Sequence, residues 1–321
     1  MLGGLFREFP LHRFSTRLRE LAANGIYLGT SSWKYPGWVG MLYEEQRYLV
    51  RNRFSLKRFE EQCLSEYGET LSTVGVDSTY YAFPTTESLV KLSDQVPDGF
   101  KFGFKVTDTI SLRRFPRIKR YDFTAGLENP GFLNADLFVE RFLGPCEQIR
   151  DKVGPLMFEF SSFEEQGVER EEFLEKLEAF FAKLPPGWLY CTEIRDSPLL
   201  GEAYFSMLAR YGVGHVFNSW TAMPPVLAQL DLPGSVAGNC VAARFLLRPG
   251  KTYAKAVERY EPFDRTHDIY PDGRKAIRHM IDMTVPANGC KRVPKFLFIN
   301  NRLEGNALNT ILATIQGENT T

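Results

Sequence analysis

The amino-acid sequence predicts an α/β protein with a single domain, a TIM (β/α)8 barrel, which follows a short helical extension at the N-terminus. Eight short apolar runs occur along the 321 residues, as expected of strands buried on both faces of a parallel sheet. Segments with helical spacing lie between these runs. An open doubly wound sheet is disfavoured because no G-x-G-x-x-G motif follows the first run. We therefore assign residues 1–25 to the extension and 26–321 to the barrel.

Hydrophobic spacing predicts the individual elements. The predicted strands are 26–33, 72–81, 100–106, 154–160, 189–196, 214–220, 239–245 and 295–301. The predicted amphipathic helices are 54–67, 135–153, 170–184, 203–211 and 306–315. In the extension, Phe14, Leu18 and Leu21 form one apolar stripe of a short helix. The segment between Arg248 and Pro294 is longer than one βα return, so it predicts an inserted loop.

Composition and charge narrow the class of protein. Lysine plus arginine and aspartate plus glutamate both number 39, so the net charge is zero and no global field attracts nucleic acid or an anionic membrane. No apolar stretch reaches the roughly 18 residues of a membrane span, and the N-terminus lacks an apolar signal-peptide core. Five widely spaced cysteines indicate free thiols. We expect a cytoplasmic protein without a membrane partner, and the oligomeric state stays open.

Polar residues stand late in most of the predicted strands. They are Asp77, Lys105, Glu159, Glu193, Arg195, Arg244, Asn300 and Asn301. Functional groups of a (β/α)8 barrel gather at the carboxyl ends of its strands, so we expect these side chains to converge on one mouth. Charged side chains are rarely buried unless they are paired or used. The set therefore predicts either a polar ligand pocket or an ion network that neutralises itself and fills the barrel.

Glu193 and Arg195 are two residues apart on the fifth strand, so they share the face that we expect to point into the barrel. The guanidinium group favours the ionised form of Glu193, which suits an orienting group, a metal ligand or a base. Glu159 is then the better candidate for a general acid.

Aromatic residues follow the first strand directly. Trp33, Tyr35 and Trp38 stand where a wall of rings could cover a sugar or a base, although such groups also pack in cores. The four histidines never occur at i, i+2 or i, i+4, so no preformed zinc site is predicted.

Five ordered motifs carry a resemblance to a known family. They are GTSSWKYPGW at 29–38, VGVDSTYY at 74–81, FKFGFKV at 100–106, TEIRDS at 192–197 and FINN at 298–301. Their order resembles the YecE-like proteins, also called domain of unknown function 72. The resemblance implies a (β/α)8 barrel and implies no particular reaction. The sequence departs from the family pattern at Gly75, where the family has glutamate, at Asp77, where it has asparagine, and at Glu159, where it tends to have glutamine.

The leading hypothesis for function is an enzyme that acts on a small polar ligand, phosphorylated or carbohydrate-like. Lys105, Arg195 and Arg244 would hold its anionic group, since arginine offers bidentate geometry. Glu193 and Glu159 would form an acid/base pair. The reaction is left open among glycoside hydrolysis, isomerisation by proton transfer and metal-assisted hydrolysis.

The second hypothesis is metal-assisted processing of nucleic-acid phosphodiesters. A divalent metal ion held by Asp77, Glu159 and Glu193 would supply the catalysis, and no other cofactor is predicted. The segment 111–121 interleaves basic and aromatic residues, which suits contact with a phosphate backbone, or else it forms a solvated loop. The third hypothesis is a non-catalytic binding barrel, in which Glu159, Glu193 and Arg195 pair with one another.

Overall fold

The computed structural model describes residues 9–161, 169–285 and 292–317. Within these ranges eight parallel strands close into a barrel, which confirms the predicted fold class. Each strand pairs with its neighbours along the chain, and the first strand pairs with the last, Gly29 opposite Phe298. The strands are β1 (Ile26–Thr30), β2 (Thr73–Val76), β3 (Lys101–Lys105), β4 (Val153–Phe160), β5 (Leu189–Ile194), β6 (Gly214–Asn218), β7 (Val241–Phe245) and β8 (Lys295–Ile299).

Helices pack on the outside of this barrel around a large apolar core. They are α1 (Leu11–Ala23), α2 (Leu56–Thr70), α3 (Thr86–Ser93), α4 (Asp108–Ser111), α5 (Ala135–Phe138), α6 (Gly144–Cys146), α7 (Arg170–Phe181), α8 (Glu202–Arg210), α9 (Val226–Leu230), α10 (Tyr253–Tyr260), α11 (Pro271–Asp282) and α12 (Ala307–Gln316). A small antiparallel hairpin, Leu49–Val50 with Arg53–Phe54, precedes α2. No helix in the described ranges is long and apolar enough to cross a membrane.

Side chains alternate between the barrel interior and the helices because a strand has a period of two residues. On β4, the Phe158 ring contacts Phe180 of α7 with 5.3 Å between ring centroids. The Phe160 ring contacts Phe173 of the same helix at 4.9 Å. Met157, one residue before Phe158, points the other way and lies in the inner core of the barrel. The near-continuous apolar sequence of β4 therefore serves two cores, one on each face of the sheet.

Phe298 of β8 fills the centre of the barrel. Its ring lies against Gly103 of β3 and Gly75 of β2, and a Cβ atom on Gly103 would stand only 2.4 Å from Cζ of Phe298. One layer below, Phe296 stacks on Tyr27 of β1 with 4.8 Å between centroids. Glycine on the inner face is therefore required for an aromatic ring to occupy the barrel axis.

Most predicted helices are observed near their expected bounds. The segments 54–67, 170–184, 203–211 and 306–315 correspond to α2, α7, α8 and α12. Helix α2 begins after Ser55, whose Oγ accepts from the backbone N of Arg58 at 3.3 Å. Helix α12 begins after Asn306, whose Oδ1 accepts from the backbone N of Asn309 at 2.9 Å, and it ends at Gly317 in the left-handed region. Side-chain caps and a terminal glycine thus set these bounds.

The prediction of one continuous helix over 135–153 is wrong. Helix α5 passes into a π-helical turn, Val139–Leu143, and α6 then gives way to a 3-10 segment, Glu147–Lys152. Pro145 in α6 has no N–H to donate and crowds the turn before it, which widens the helix at that point. Ile149 then leaves the helical region with φ −123°, so the chain turns toward β4.

The N-terminal extension forms α1, and its predicted stripe of Phe14, Leu18 and Leu21 is buried in the outer core of the barrel. The long segment after β7 contains both α10 and α11. The described part of this segment therefore contains one helix more than a simple βα return, where the sequence predicted an inserted loop. Residues 286–291 of this segment lie outside the described residues.

Four cysteines lie in the described ranges, and all four are free thiols. Cys191 of β5 and Cys240, which precedes β7, meet in the inner core with 2.9 Å between their sulfur atoms. That separation exceeds the ~2.05 Å of a disulfide bond. The prediction of free thiols is confirmed for these four residues, whereas Cys290 lies outside the described residues.

We expect Gly103→Ala to destabilise the barrel because the new methyl group would overlap the Phe298 ring. Overpacking of this kind costs about 1–3 kcal/mol of unfolding free energy. Gly201→Ala is the matched control, since the Cβ position of Gly201 faces open space and its backbone is extended. Urea denaturation measures the difference. Equal stability of Gly103→Ala and the wild type would show that Phe298 does not fill the barrel as described.

Candidate functional site

A polar layer closes the carboxyl end of the barrel above Phe298. By the alternation of the strands, one inward-facing polar residue contributes to it at the end of each strand or directly after it. The layer consists of Ser31, Asp77, Lys105, Glu159, Glu193, Asn218, Arg244 and Asn300. All of these except Asp77 are buried. Arg195, which follows β5 directly, joins them at the mouth. The predicted convergence of charged residues on one end of the barrel is therefore confirmed.

Three cations converge on a single carboxylate oxygen in this layer. Oε2 of Glu159 accepts from Nη2 of Arg195 at 2.6 Å and from Nζ of Lys105 at 2.7 Å. Nη1 of Arg244 donates to the same atom at 3.0 Å. Because the cations come from β3, β7 and the end of β5, Glu159 of β4 joins separate parts of the barrel mouth.

Glu193 is fully buried, and both of its oxygens are paired. Oε1 accepts from Nε and Nη2 of Arg195 at 2.9 and 2.8 Å, and Oε2 accepts from Nη1 of Arg244 at 2.7 Å. Nη2 of Arg244 also donates to Oδ1 of Asp77 at 2.9 Å. We define the charge cluster as Asp77, Lys105, Glu159, Glu193, Arg195 and Arg244. Its carboxylates and cations are equal in number, so their formal charges cancel.

The cations keep both buried glutamates ionised. Burial alone would raise the pKa of Glu159, but Arg195, Lys105 and Arg244 outweigh burial and lower that pKa to about 2. Burial also opposes ionisation of Glu193, and the two arginines again bring its pKa below the ordinary value. These surroundings favour the charged form of Glu159 and therefore oppose the predicted role as a general acid, which needs a bound proton.

Aromatic rings lie over two cations of the charge cluster. The ring of Tyr80 lies 3.7 Å from Nζ of Lys105, and the ring of Trp220 lies 4.0 Å from the guanidinium carbon of Arg195. Such contacts favour the cation electrostatically. Trp220 was not among the predicted site residues, and the signal that could have found it is its position two residues after β6.

A second group of aromatic residues surrounds the exposed side of Asp77. The pKa of Tyr35 is raised by burial, and Arg302, Asp77 and Tyr253 are near enough to affect it, so Tyr35 lies close to the mouth and its contact with a ligand stays a prediction. The ring of Tyr253 lies 4.2 Å from the guanidinium carbon of Arg302. Neither Tyr253 nor Arg302 was predicted. Tyr253 belongs to the inserted segment after β7, where no strand pattern marks a residue as facing the mouth.

Two of the predicted aromatic residues do not cover the charge cluster. Trp38 is fully buried and stacks against Tyr43 with 6.2 Å between centroids. Trp33 lines a separate cavity of about 360 Å³ together with residues of α2 and α3. The 3-10 turn Pro36–Trp38 folds Trp38 into the outer core, so the geometry does not support its predicted contact with a ligand, and the contact of Trp33 stays a prediction.

The two asparagines after β8 have different surroundings. Oδ1 of Asn300 accepts from the backbone N of Arg302 at 3.0 Å, within the polar layer. Oδ1 of Asn301 accepts instead from the backbone N of Ala307 at 2.7 Å, at the start of α12. The alternation of β8 ends at Asn300 because a 3-10 turn, Asn301–Leu303, begins there. Asn301 therefore supports the start of a helix, and its contact with a ligand stays a prediction.

The carboxylates of the charge cluster do not fit a divalent metal ion. Asp77, Glu159 and Glu193 each accept from at least one arginine, so a metal ion would have to displace guanidinium groups that already neutralise these carboxylates. Among the residues at 9–161, 169–285 and 292–317, no group of three or more histidines, cysteines, aspartates or glutamates could hold a metal ion. The donor set therefore gives no support to metal-assisted chemistry at this site.

The basic segment 111–121 forms part of the loop that follows α4. Nη2 of Arg120 donates to Oδ2 of the buried Asp108 at 2.7 Å and to the carbonyl oxygen of Tyr81 at 3.0 Å. Further along the same loop, Phe123 is 93% exposed. Arg120 therefore fixes the loop against its neighbour, and the loop presents an aromatic tip to solvent.

Comparisons with known proteins agree with this fold. The model of a family described as "Protein of unknown function DUF72" matches residues 27–319. The UPF0759 protein YecE of Escherichia coli K12 is 30% identical over 86 residues, which cover 27% of this chain and only 25% of that curated relative.

Two solved structures extend the agreement to the whole barrel. A DUF72 family protein from Enterococcus faecalis V583 superposes with a TM-score of 0.55 at 17% identity, covering 92% of this chain and 98% of its own. A DUF72 family protein from Thermotoga maritima MSB8 superposes with a TM-score of 0.53 at 17% identity, covering 91% and 96%. At such identities the structures show the fold alone.

We expect Arg195→Ala to lower the free energy of unfolding by about 3–5 kcal/mol, because it leaves Glu193 buried with one cation fewer. The matched control is Arg170→Ala, whose exposed pair with Asp196 should contribute only about 0–1 kcal/mol. Chemical denaturation of both variants gives the comparison. A loss for Arg195→Ala no larger than that for Arg170→Ala would mean that the pair at the mouth is not buried in solution.

We expect the stability of the protein to fall as the pH drops from about 4.5 toward 2, partly through Glu159. Its pKa in the folded protein is about 2, below the ordinary value of 4.5, so its stabilising effect is complete above 4.5 and is lost as the pH approaches 2. Glu159→Gln should show a shallower dependence of unfolding free energy on pH over this range, whereas Glu175→Gln, on the exposed face of α7, should match the wild type. Identical slopes for all three proteins would contradict the assignment.

Proposed function

The chain belongs to the DUF72 family, whose function is unknown. From the geometry of the charge cluster, we propose that the protein binds and acts on a small phosphorylated or carbohydrate-like ligand at the mouth of the barrel. The observation that carries this proposal is the convergence of three cations on Oε2 of Glu159 beneath aromatic rings. Anion recognition by lysine and arginine at the carboxyl ends of barrel strands is the chemistry that such an arrangement offers.

Hydrogen-bond donors remain for an anionic group. Among the described residues, Nη1 of Arg195 has no hydrogen-bond partner, and Nζ of Lys105 is paired only with Glu159. A guanidinium group carries five donors and an ammonium group carries three. A phosphate group that contacts Arg195 and Lys105 together would therefore use donors that the charge cluster leaves over, and it would not need to break the pairing with Glu159.

The aromatic rim suits the remainder of such a ligand. Tyr81 and Tyr253 are 61% and 55% exposed, which is unusual for rings of this size. Tyr81 interacts electrostatically with Asp77 and Tyr253, so both rings belong to the mouth that contains the charge cluster. Flat, exposed rings beside polar groups are suited to the apolar face of a sugar.

Glu193 and Glu159 contribute by holding the cations in position. Both carboxylates stay charged, and every oxygen of Glu193 is paired with an arginine. This complete pairing of Glu193 supports the alternative, a barrel that binds a ligand without catalysing a reaction. Lys105 and Arg195, which retain unused donors, are the groups that favour a ligand.

Processing of nucleic acid is the second candidate function. The exposed ring of Phe123 in a loop rich in lysine and arginine favours it, because aromatic rings next to cations stack on unpaired bases. The pairing of Arg120 with Asp108 weakens it, since that cation is already neutralised. Binding of a single-stranded oligonucleotide that falls steeply with salt concentration would support this candidate.

We also propose that the protein resides in the cytoplasm. The thiols of the four described cysteines are free, as expected of a protein in a reducing compartment.

Calorimetric titration with inorganic phosphate, glucose 6-phosphate and glucose tests the leading proposal. We expect both phosphates to bind, glucose 6-phosphate more tightly, and Lys105→Met to weaken the affinity at least tenfold, or about 1.4 kcal/mol. The matched control is Lys57→Met, because Lys57 is an exposed residue of α2 and does not belong to the charge cluster. Absence of phosphate binding, or equal affinity of both variants, would overturn the proposal.

A further inference from the structure

Lys105 is the cation of the charge cluster that can lose its proton. Guanidinium groups remain protonated in proteins, whereas the ammonium group of a buried lysine shifts its pKa readily. Nζ of Lys105 shares Oε2 of Glu159 with Arg195 and Arg244, so three cations compete for one negative charge. The Lys105 side chain nevertheless keeps 11% of its surface exposed at the mouth.

The neighbouring charged groups act on the pKa of Lys105 in opposite directions. Burial lowers the pKa of Lys105, Glu159 raises it, Arg244 and Arg195 lower it, and Asp77 raises it, with a lowered pKa as the result. Tyr80, whose ring covers the ammonium group, stays neutral because burial raises its own pKa above the ordinary value. The surroundings therefore make the neutral amine more accessible than in an exposed lysine.

We propose that Lys105 is a nucleophile that forms an imine with a small aldehyde or ketone bearing a phosphate or carboxylate group. This inference rests on the proposed function and names the substrate class of the same site. Arg195 and Lys105 contact the same oxygen of Glu159, so a small ligand can place its anionic group against Arg195 and its carbonyl group against Lys105. Lys105 stands at the carboxyl end of β3, which is where a barrel presents reactive side chains.

The reaction balances without a further reactant. The Lys105 ammonium group first gives one proton to water at the mouth, and the free electron pair of Nζ attacks the carbonyl carbon. The carbonyl oxygen takes one proton from Nζ and one back from the protonated water and leaves as water, and a C=N bond replaces the C=O bond. In total, one ammonium ion and one carbonyl compound yield one protonated imine and one water molecule.

The charge cluster is suited to this product because the positive charge on Nζ is conserved. A protonated imine carries the same charge as the ammonium ion that it replaces, so Glu159 keeps its third cation. The contact with the face of Tyr80 also persists, since it depends on the charge and not on the number of protons. Conversion of Lys105 to a neutral adduct would instead leave Glu159 with two partners.

Trapping with borohydride tests this inference on the full chain. The protein is incubated with dihydroxyacetone phosphate, the imine is reduced with sodium borohydride, and the modified lysines are located by peptide mass spectrometry. We expect Lys105 to be modified at least tenfold faster than the exposed Lys57, and dihydroxyacetone without phosphate to react at least tenfold more slowly. The rate of modification of Lys105 should also reach half its maximum at a lower pH than that of Lys57.

Lys105→Arg keeps a cation beside Glu159 and removes the nucleophile, so it should stay folded and lose the adduct. Inorganic phosphate should also slow the labelling of Lys105 in the wild type. Equal labelling of Lys105 and Lys57, or an unlabelled Lys105 in a protein that binds phosphate, would overturn the imine while leaving the proposed function standing. A protein that neither binds phosphate nor forms the adduct would overturn both.

Discussion

Electroneutrality of the charge cluster is the constraint on which the mouth of this barrel depends. A buried ion without a partner is costly, and these six ions are tolerated because each carboxylate faces at least one cation. The members come from β2, β3, β4, β5 and β7, so the same interactions that cancel charge also hold the strand ends together. The cluster therefore behaves as one unit, in which a change at Glu159 affects three cations at once.

The apolar layer beneath the charge cluster strengthens these interactions. Phe298 separates the ions from the lower half of the barrel, and the glycines at positions 75 and 103 leave room for its ring. Charges and hydrogen bonds next to such a dry layer interact more strongly than they would in water. The two glycines thus contribute to the electrostatics of the mouth, although they carry no charge.

The sequence predicted the parts of the site that follow from strand periodicity. Glu193 and Arg195 could be placed on one inward face by their spacing, and the late polar residues could be placed at one end of the barrel. Trp38 and Asn301 could not, because a 3-10 turn begins near each of them and alternation stops there. The ionised state of Glu159 was also beyond prediction, since Arg244, 85 residues further along the chain, must reach the same oxygen.

The position of Cys191 and Cys240 has a consequence for measuring how the barrel opens. Both thiols lie in the inner core, with no more than 1% of either residue exposed. A thiol reagent reaches them only when the inner core opens, because both side chains are enclosed in it. Their alkylation rate therefore reports the free energy of barrel opening at these strands, residue by residue, under conditions in which the protein is otherwise folded.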